Sequence, residues 1–252
     1  MDFVRGEKIT EALAGDAAGR REMARRLTDA LTVDAIFSQT EEAIFHGDPH
    51  AGNVFHVSNE PTDRYRIALL DWGLYGSFPR SQRKQLVQLV LGVHLGNSKR
   101  VRNNAGALLE GGLPTTPDDL QKIRLIVDKI VQNRRGIFNT LQDLILELAN
   151  EGFQTRFNIT LFIKSQITIS RILKELDPDF DTDEHLLGRV NGLVWREFPK
   201  HLLYLVWFPA WNSHSYRSML SNEDIRDVWT RGLGGVFRTI GGGIARGFGE
   251  IF

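Results

Sequence analysis

Two short runs in this chain hold residues of the kind that phosphoryl transfer uses. In FHGDPHAGN, His46, Asp48 and Asn53 stand in the pattern His-x-Asp-x-x-x-x-Asn; in LLDWG, Asp71 precedes Trp72 and Gly73. Phosphoryl transfer asks for a carboxylate near the attacking hydroxyl and for hard oxygen donors that hold magnesium against the phosphates. Asp48 could accept the hydroxyl proton, and Asn53, five positions on, could turn its amide oxygen to a metal. Asp71 follows Asn53 by 18 positions and ends an almost wholly apolar run. A strand, a hairpin loop and a second strand of that length bring the chain back to its start. Asn53 and Asp71 are therefore expected to share one magnesium site, with Asp71 the main ligand. His46 is expected to brace the loop, His50 to touch phosphate or substrate or to fill the loop, and His56 to pack within a strand. Gly73 is expected to let the backbone turn sharply.

Taken singly, a His-x-Asp or an Asp-Trp-Gly arises readily by chance. Their order, internal spacing and intervening hairpin together match the kinase arrangement His-Arg-Asp-x-x-x-x-Asn followed by Asp-Phe-Gly.

The elements that must position these residues are mostly helical. Residues 1–10 read as a short extended segment with a turn at Gly6. Met23, Leu27, Leu31 and Ile36 are roughly helix-spaced, which predicts a helix within 20–44. Asn53 to Val57 and Ile67 to Asp71 are β-type runs, and SNEPTDRYR between them reads as the hairpin loop. A helix is expected from Ser81 to Leu95, opened by its serine. Another is expected from Thr115, with a threonine cap, a proline in the first turn and two acids. Further helices are expected over 138–150, 158–175, 184–197 and 222–231. The fold class is thus mainly α with a small β-hairpin, organised as a hinge-like segment (1–10), a kinase-like C-lobe (11–231) and a glycine-rich amphipathic tail (232–252).

Composition sets the remaining bounds. At 252 residues, with 42% hydrophobic and 25% charged residues, the chain suits one large soluble domain or two small ones. Basic and acidic residues balance at 31 each, which offers nothing to a nucleic acid. Cysteine is absent, so disulfides, thiolate chemistry and cysteine metal sites are excluded. No apolar run reaches the roughly 20 residues of a membrane span; the longest, Leu202 to Trp211, is about half that. The opening MDFVRGEKIT has no apolar core of a signal peptide, and a cytoplasmic or peripheral membrane location is expected.

At these motifs the chain resembles the AarF/UbiB family of atypical kinases. FHGDPHAGN is similar to the family's catalytic loop, with its Asp-Pro-His and Gly-Asn. LLDWGLYG resembles its metal-binding strand end, with Trp72 where phenylalanine is usual. MDFVRGEKIT looks like its interlobe hinge, and LDPDFD, Leu176 to Asp181, resembles a downstream element. The resemblance implies a protein-kinase-like fold, ATP and magnesium as cofactors, and a role in ubiquinone or other isoprenoid-lipid metabolism. It implies Asp48 as the catalytic residue, His50, Asn53 and Asp71 at the cofactor, and Asn53 and Asp71 as metal ligands. The family's upper lobe, with its phosphate-binding lysine and Lys-x-Gly-Gln segment, has no counterpart here. The chain by itself is therefore expected to turn over poorly, and a separately encoded upper lobe is an expected partner. A lipid or quinone precursor is an expected ligand.

Two other readings compete. Small-molecule phosphotransferases of the aminoglycoside and choline kinase type also use a His-Gly-Asp-x-x-x-x-Asn loop and an Asp-Trp-Gly or Asp-Phe-Gly; Pro49, the hinge-like opening and LDPDFD speak against them. A non-catalytic scaffold would keep the fold and bind lipid or a partner. HLLYLVWFPAW, 201–211, reads as a buried element or a lipid-facing patch. The tail sets Phe237, Ile240, Ile244, Phe248 and Ile251 near helical spacing among Arg231, Arg238 and Arg246. Such a face suits an anionic bilayer surface, while its glycines suit a frayed end.

Overall fold

The chain divides into two compact units, Met1–Leu186 and Leu187–Phe252. The computed structural model describes residues 5–38, 40–57, 64–190 and 192. The aromatic stretch 201–211, the helix expected at 222–231 and the tail lie outside the described residues. The helix expected over 184–197 is seen as a helical run over 182–190.

Among the described residues, five short strands form two antiparallel sheets. In the first, β1 (Glu7–Lys8), β3 (Val54–Val57) and β4 (Arg66–Leu69) lie in the order β1-β3-β4. The extended opening segment is thus a strand on the expected hairpin, with Glu7 opposite His56 and Val54 opposite Leu69. In the second sheet, β2 (Glu42–His46) pairs with β5 (Tyr75–Pro79), His46 opposite Tyr75. This second sheet is absent from the sequence reading, which expects a helix within 20–44 and places no strand at 42–46 or 75–79. The helix is real only as far as Phe37, as α1 (Ala17–Thr28), a π-helical turn (Asp29–Val33) and α2 (Asp34–Phe37). Beyond it the burial alternates, with Ala43 and Phe45 inside and Glu42 and Ile44 outside, which is the period of a strand. Strand β5 owes its conformation to pairing with β2, since YGSFP has little strand signal of its own.

The remaining elements are helices: α3 (Arg80–His94), α4 (Ser98–Asn104), α5 (Pro117–Gln132), α6 (Ile137–Asn150) and α7 (Phe157–Leu176). The start of α5 obeys its sequence signals. Thr116 accepts from the Asp119 N–H, Pro117 takes the first turn, and Asp118 and Asp119 face the helix dipole. The start of α3 does not. Its cap is Pro79, no side chain caps it, and Ser81 lies inside the helix. Among the described residues no helix is long and apolar enough to cross a membrane.

The long helix α7 is the floor for both sheets. Its C-terminal half, with Ile169, Ile172, Leu173 and Leu176, packs in one buried cluster with Ile9, Met23, Leu27 and Val54. Its Phe162 meets Phe45 and Phe78 edge-on at 5.2 and 5.3 Å, while Phe45 and Phe78 stack at 4.7 Å. The β2–β5 pair therefore sits on an aromatic cluster, which holds the chain leaving β2 and the chain entering β5 at fixed depth.

Arg20 ties the ends of this unit together. Its guanidinium donates to the carbonyls of Thr10 and Ala12 after β1 and to those of Glu175 and Leu176 at the end of α7. One planar fork thus serves helix-end carbonyls that have no intrahelical partner. Beside it, Arg21 Nε lies 2.6 Å from Asp177 and holds the Asp177 carboxyl below its usual range. Arg20→Met is expected to cost about 1–3 kcal/mol, since several acceptors lose their donor at once. Chemical denaturation checks this; a loss no greater than at an exposed arginine such as Arg124 would refute the clamp.

Candidate active site

The loop between β2 and β3 carries His46, Asp48, His50 and Asn53, and the end of β4 leads into Asp71. Local hydrogen bonding explains why the two meet. The β3–β4 ladder runs to Leu70, whose N–H donates to the Asn53 carbonyl at 2.8 Å. There it stops, because the Asn53 N–H is spent on the His50 carbonyl, also at 2.8 Å, in a 3₁₀ turn over Ala51–Asn53. The Leu70 carbonyl is left without its ladder partner. His46 Nε2 takes it at 2.9 Å, while His46 Nδ1 accepts from the Asp48 N–H at 3.2 Å. These two bonds require the Nε2–H tautomer. His46 is 2% exposed and links the start of the loop to the residue before Asp71. The bracing role expected for His46 is what its two bonds perform.

Asn53 is buried, with 8% exposed, and its amide Nδ2 donates to the Asp48 carbonyl at 3.2 Å. The amide oxygen is the end turned away from that bond. The Asp48 carboxylate is open, its side chain 57% exposed, and stands 3.8 Å from His50 Nε2. His50 Nδ1 accepts from the Gly52 N–H at 3.1 Å and caps the 3₁₀ turn. His50 therefore shapes the loop and turns its other nitrogen toward Asp48. His56, 4% exposed, is more than a packing residue: its ring nitrogens meet the Glu7 carboxylate at 3.2 Å and the Arg64 carbonyl at 2.8 Å.

Asp71 has the left-handed backbone, at φ 53°, and its Oδ1 accepts from the Gly73 N–H at 3.3 Å. The sharp turn expected at Gly73 is thus made two residues earlier, by the aspartate itself. Aspartate tolerates this conformation better than most side chains because it can bond its own local backbone. The glycine that the site does need is Gly47. Its N–H donates to the Leu74 carbonyl at 2.9 Å, and a Cβ there would meet Leu74 Cγ at 2.9 Å and its carbonyl oxygen at 3.0 Å. Loop and strand end are in close backbone contact on both sides of the two aspartates.

Two contributors escape the sequence reading. The Trp72 indole N–H donates to the Leu69 carbonyl at 3.2 Å, and its ring lies 4.8 Å from that of His46. The only hint is tryptophan in a phenylalanine position. Arg83, on α3, is wholly buried and donates to the carbonyls of Phe78, Ser38 and Thr40. No sequence signal marks an arginine inside a helix as buried.

Among the described residues no group of three or more His, Cys, Asp or Glu could hold a metal. One carboxylate (Asp71) and one amide oxygen (Asn53) at the same hairpin end fit magnesium, since that ion keeps waters and takes phosphate oxygens as further ligands.

A mostly helical unit with small antiparallel sheets, its loop and strand end gathering Asp48, Asn53 and Asp71, has the make-up of a kinase-like domain. Residues 1–105 match the model of the ABC1 atypical kinase-like domain, which fits the AarF/UbiB resemblance of the motifs. The chain is 27% identical over 190 residues to the chloroplastic protein Activity of BC1 Complex Kinase 7 of Arabidopsis thaliana, covering 71% of this chain and 26% of that relative. The chain thus spans about a quarter of that relative's length. Both matches support a kinase-like function.

Proposed function

We propose that this chain carries the catalytic and metal-binding half of a magnesium–ATP-dependent atypical kinase or ATPase. The observation that carries the reading is the junction at Leu70. Its N–H and carbonyl are bound by Asn53 and His46, so the loop bearing Asp48 and the strand end bearing Asp71 are one hydrogen-bonded body. In this reading Asp48 orients the acceptor hydroxyl or water and takes its proton as the γ-phosphoryl group of ATP transfers. Asn53 and Asp71 would hold magnesium, which when bound offsets charge on the phosphates. Asn53 has a second task, since its amide bond to the Asp48 carbonyl fixes the loop. His50, through the 3₁₀ turn and its approach to Asp48, keeps that carboxylate facing out of the loop. An acceptor in ubiquinone or other isoprenoid-lipid metabolism follows from the family resemblance alone.

The test is calorimetry of magnesium–ATP binding. Asp71→Asn is expected to weaken affinity by about tenfold or more, since a charge-assisted ligand worth ~1.5–3 kcal/mol is lost. Unchanged affinity in that variant would remove Asp71 from the metal site.

A further inference from the structure

The turn after β4 exposes a problem that the fold solves with side chains. Leu69 and Val54 are opposite each other, and the bond from Leu70 N–H to the Asn53 carbonyl makes theirs the wide, non-bonded pair of the ladder. The Leu69 carbonyl consequently points away from β3, toward the open edge of β4. The Leu70 carbonyl points toward β3 but finds the Asn53 N–H already engaged with His50. Two consecutive carbonyls immediately before Asp71 therefore lie outside the sheet. Each is taken by an aromatic donor: Leu69 by the Trp72 indole at 3.2 Å and Leu70 by the His46 imidazole at 2.9 Å. The two rings contact each other at 4.8 Å between centroids, tilted by 50°. Asp71 is the residue enclosed by this arrangement, and it has the left-handed backbone.

We propose that Trp72 is a positioning residue which, with His46, forms a clamp on the Leu69 and Leu70 carbonyls and so holds Asp71 in its left-handed pose. Trp72 remains 44% exposed, so it contributes little as a core residue. A phenylalanine could keep the ring contact with His46 but has no N–H for Leu69. With that bond gone, the Leu70 carbonyl is still held by His46 and Asp71 Oδ1 still accepts from the Gly73 N–H, but the Trp72 side of the turn loses its tie back to Leu69. The proposal rests on Asp71 being the metal ligand only for its second measurement.

The first measurement is ¹⁵N–¹H NMR of the full chain and of Trp72→Phe. The indole N–H of Trp72, identified as the signal lost in the variant, is expected to exchange several-fold more slowly than an unbonded indole. The backbone amides of 70–74 are expected to shift in the variant, while those of α5 and α6 stay. Unmoved amides at 70–74 would overturn the clamp. The second measurement is magnesium–ATP calorimetry at matched melting temperature. Trp72→Phe is expected to weaken binding by about 3–10-fold, the effect of one lost hydrogen bond. If Asp71→Asn weakens binding while Trp72→Phe does not, the positioning role is wrong. If neither variant changes binding but the amides of 70–74 still move, the clamp stands and the assignment of Asp71 to the metal falls.

Discussion

Replacing Asp48 with asparagine is expected to slow phosphoryl transfer or ATP hydrolysis by about 10²–10⁴-fold and to leave the melting temperature unchanged. The reason lies in how little the fold asks of this side chain. The carboxylate is 57% exposed. The structural work at this position is done by the Asp48 backbone, whose N–H donates to His46 and whose carbonyl accepts from Asn53. Asparagine keeps both bonds and the side-chain volume, and loses the negative charge and with it the capacity to take a proton. The assay is single-turnover ATP cleavage, run with and without a family upper lobe supplied in trans. Full activity in a stably folded variant would exclude Asp48 as the base. Asn53→Ala is a useful contrast, because it should lower activity and stability together.

The second large effect is on stability and is expected at Arg83. Its guanidinium has no exposed surface, and burial, with Arg80 nearby, pulls its pKa below the usual arginine value. No carboxylate is bonded to it among the described residues. Instead it donates to three carbonyls, Phe78 in β5 and Ser38 and Thr40 in the segment leading into β2, and its Nε has no hydrogen-bond partner. It thus joins the outer ends of both strands of the sheet that frames the loop. Arg83→Met, close in length and apolar, removes a costly desolvated charge but strands the carbonyls. Unsatisfied buried acceptors cost ~1–3 kcal/mol each, while Ser38 and Thr40 can partly regain water. A net loss of about 2–3 kcal/mol is expected, or roughly 4–12 °C in melting temperature for a unit of this size. Arg83→Lys should not rescue it, because one ammonium cannot span three carbonyls in the plane of a fork. A Lys variant as stable as the parent would show that charge alone, not the fork, is what the site requires.

The candidate site was the most legible part of this chain, because the kinase-like motifs are defined by residue type and spacing along the sequence. His46, Asp48, Asn53 and Asp71 could be singled out, and the short hairpin that connects them could be seen in two β-type runs around a polar loop. Helices α5, α6 and α7 were also legible, since each carries a long apolar stripe, and α5 carries its own start signals. What the sequence left open is decided by pairing between distant segments. Strand β2 goes unmarked until Tyr75–Pro79 lies beside it, and β5 has little strand character until β2 does the same. The bonds that organise the candidate site are of this kind too. His46 reaches a carbonyl 24 residues away, and Arg83 reaches carbonyls 43 and 45 positions back. Such donors are chosen by which backbone groups the sheets leave unpaired, and that becomes defined only once the ladder has formed and stopped. The left-handed turn at Asp71 has the same origin. Residue preference favours Gly73 for it, but the ends of the turn are fixed by Asn53, His46 and Gly47, and the conformation falls on the residue between them.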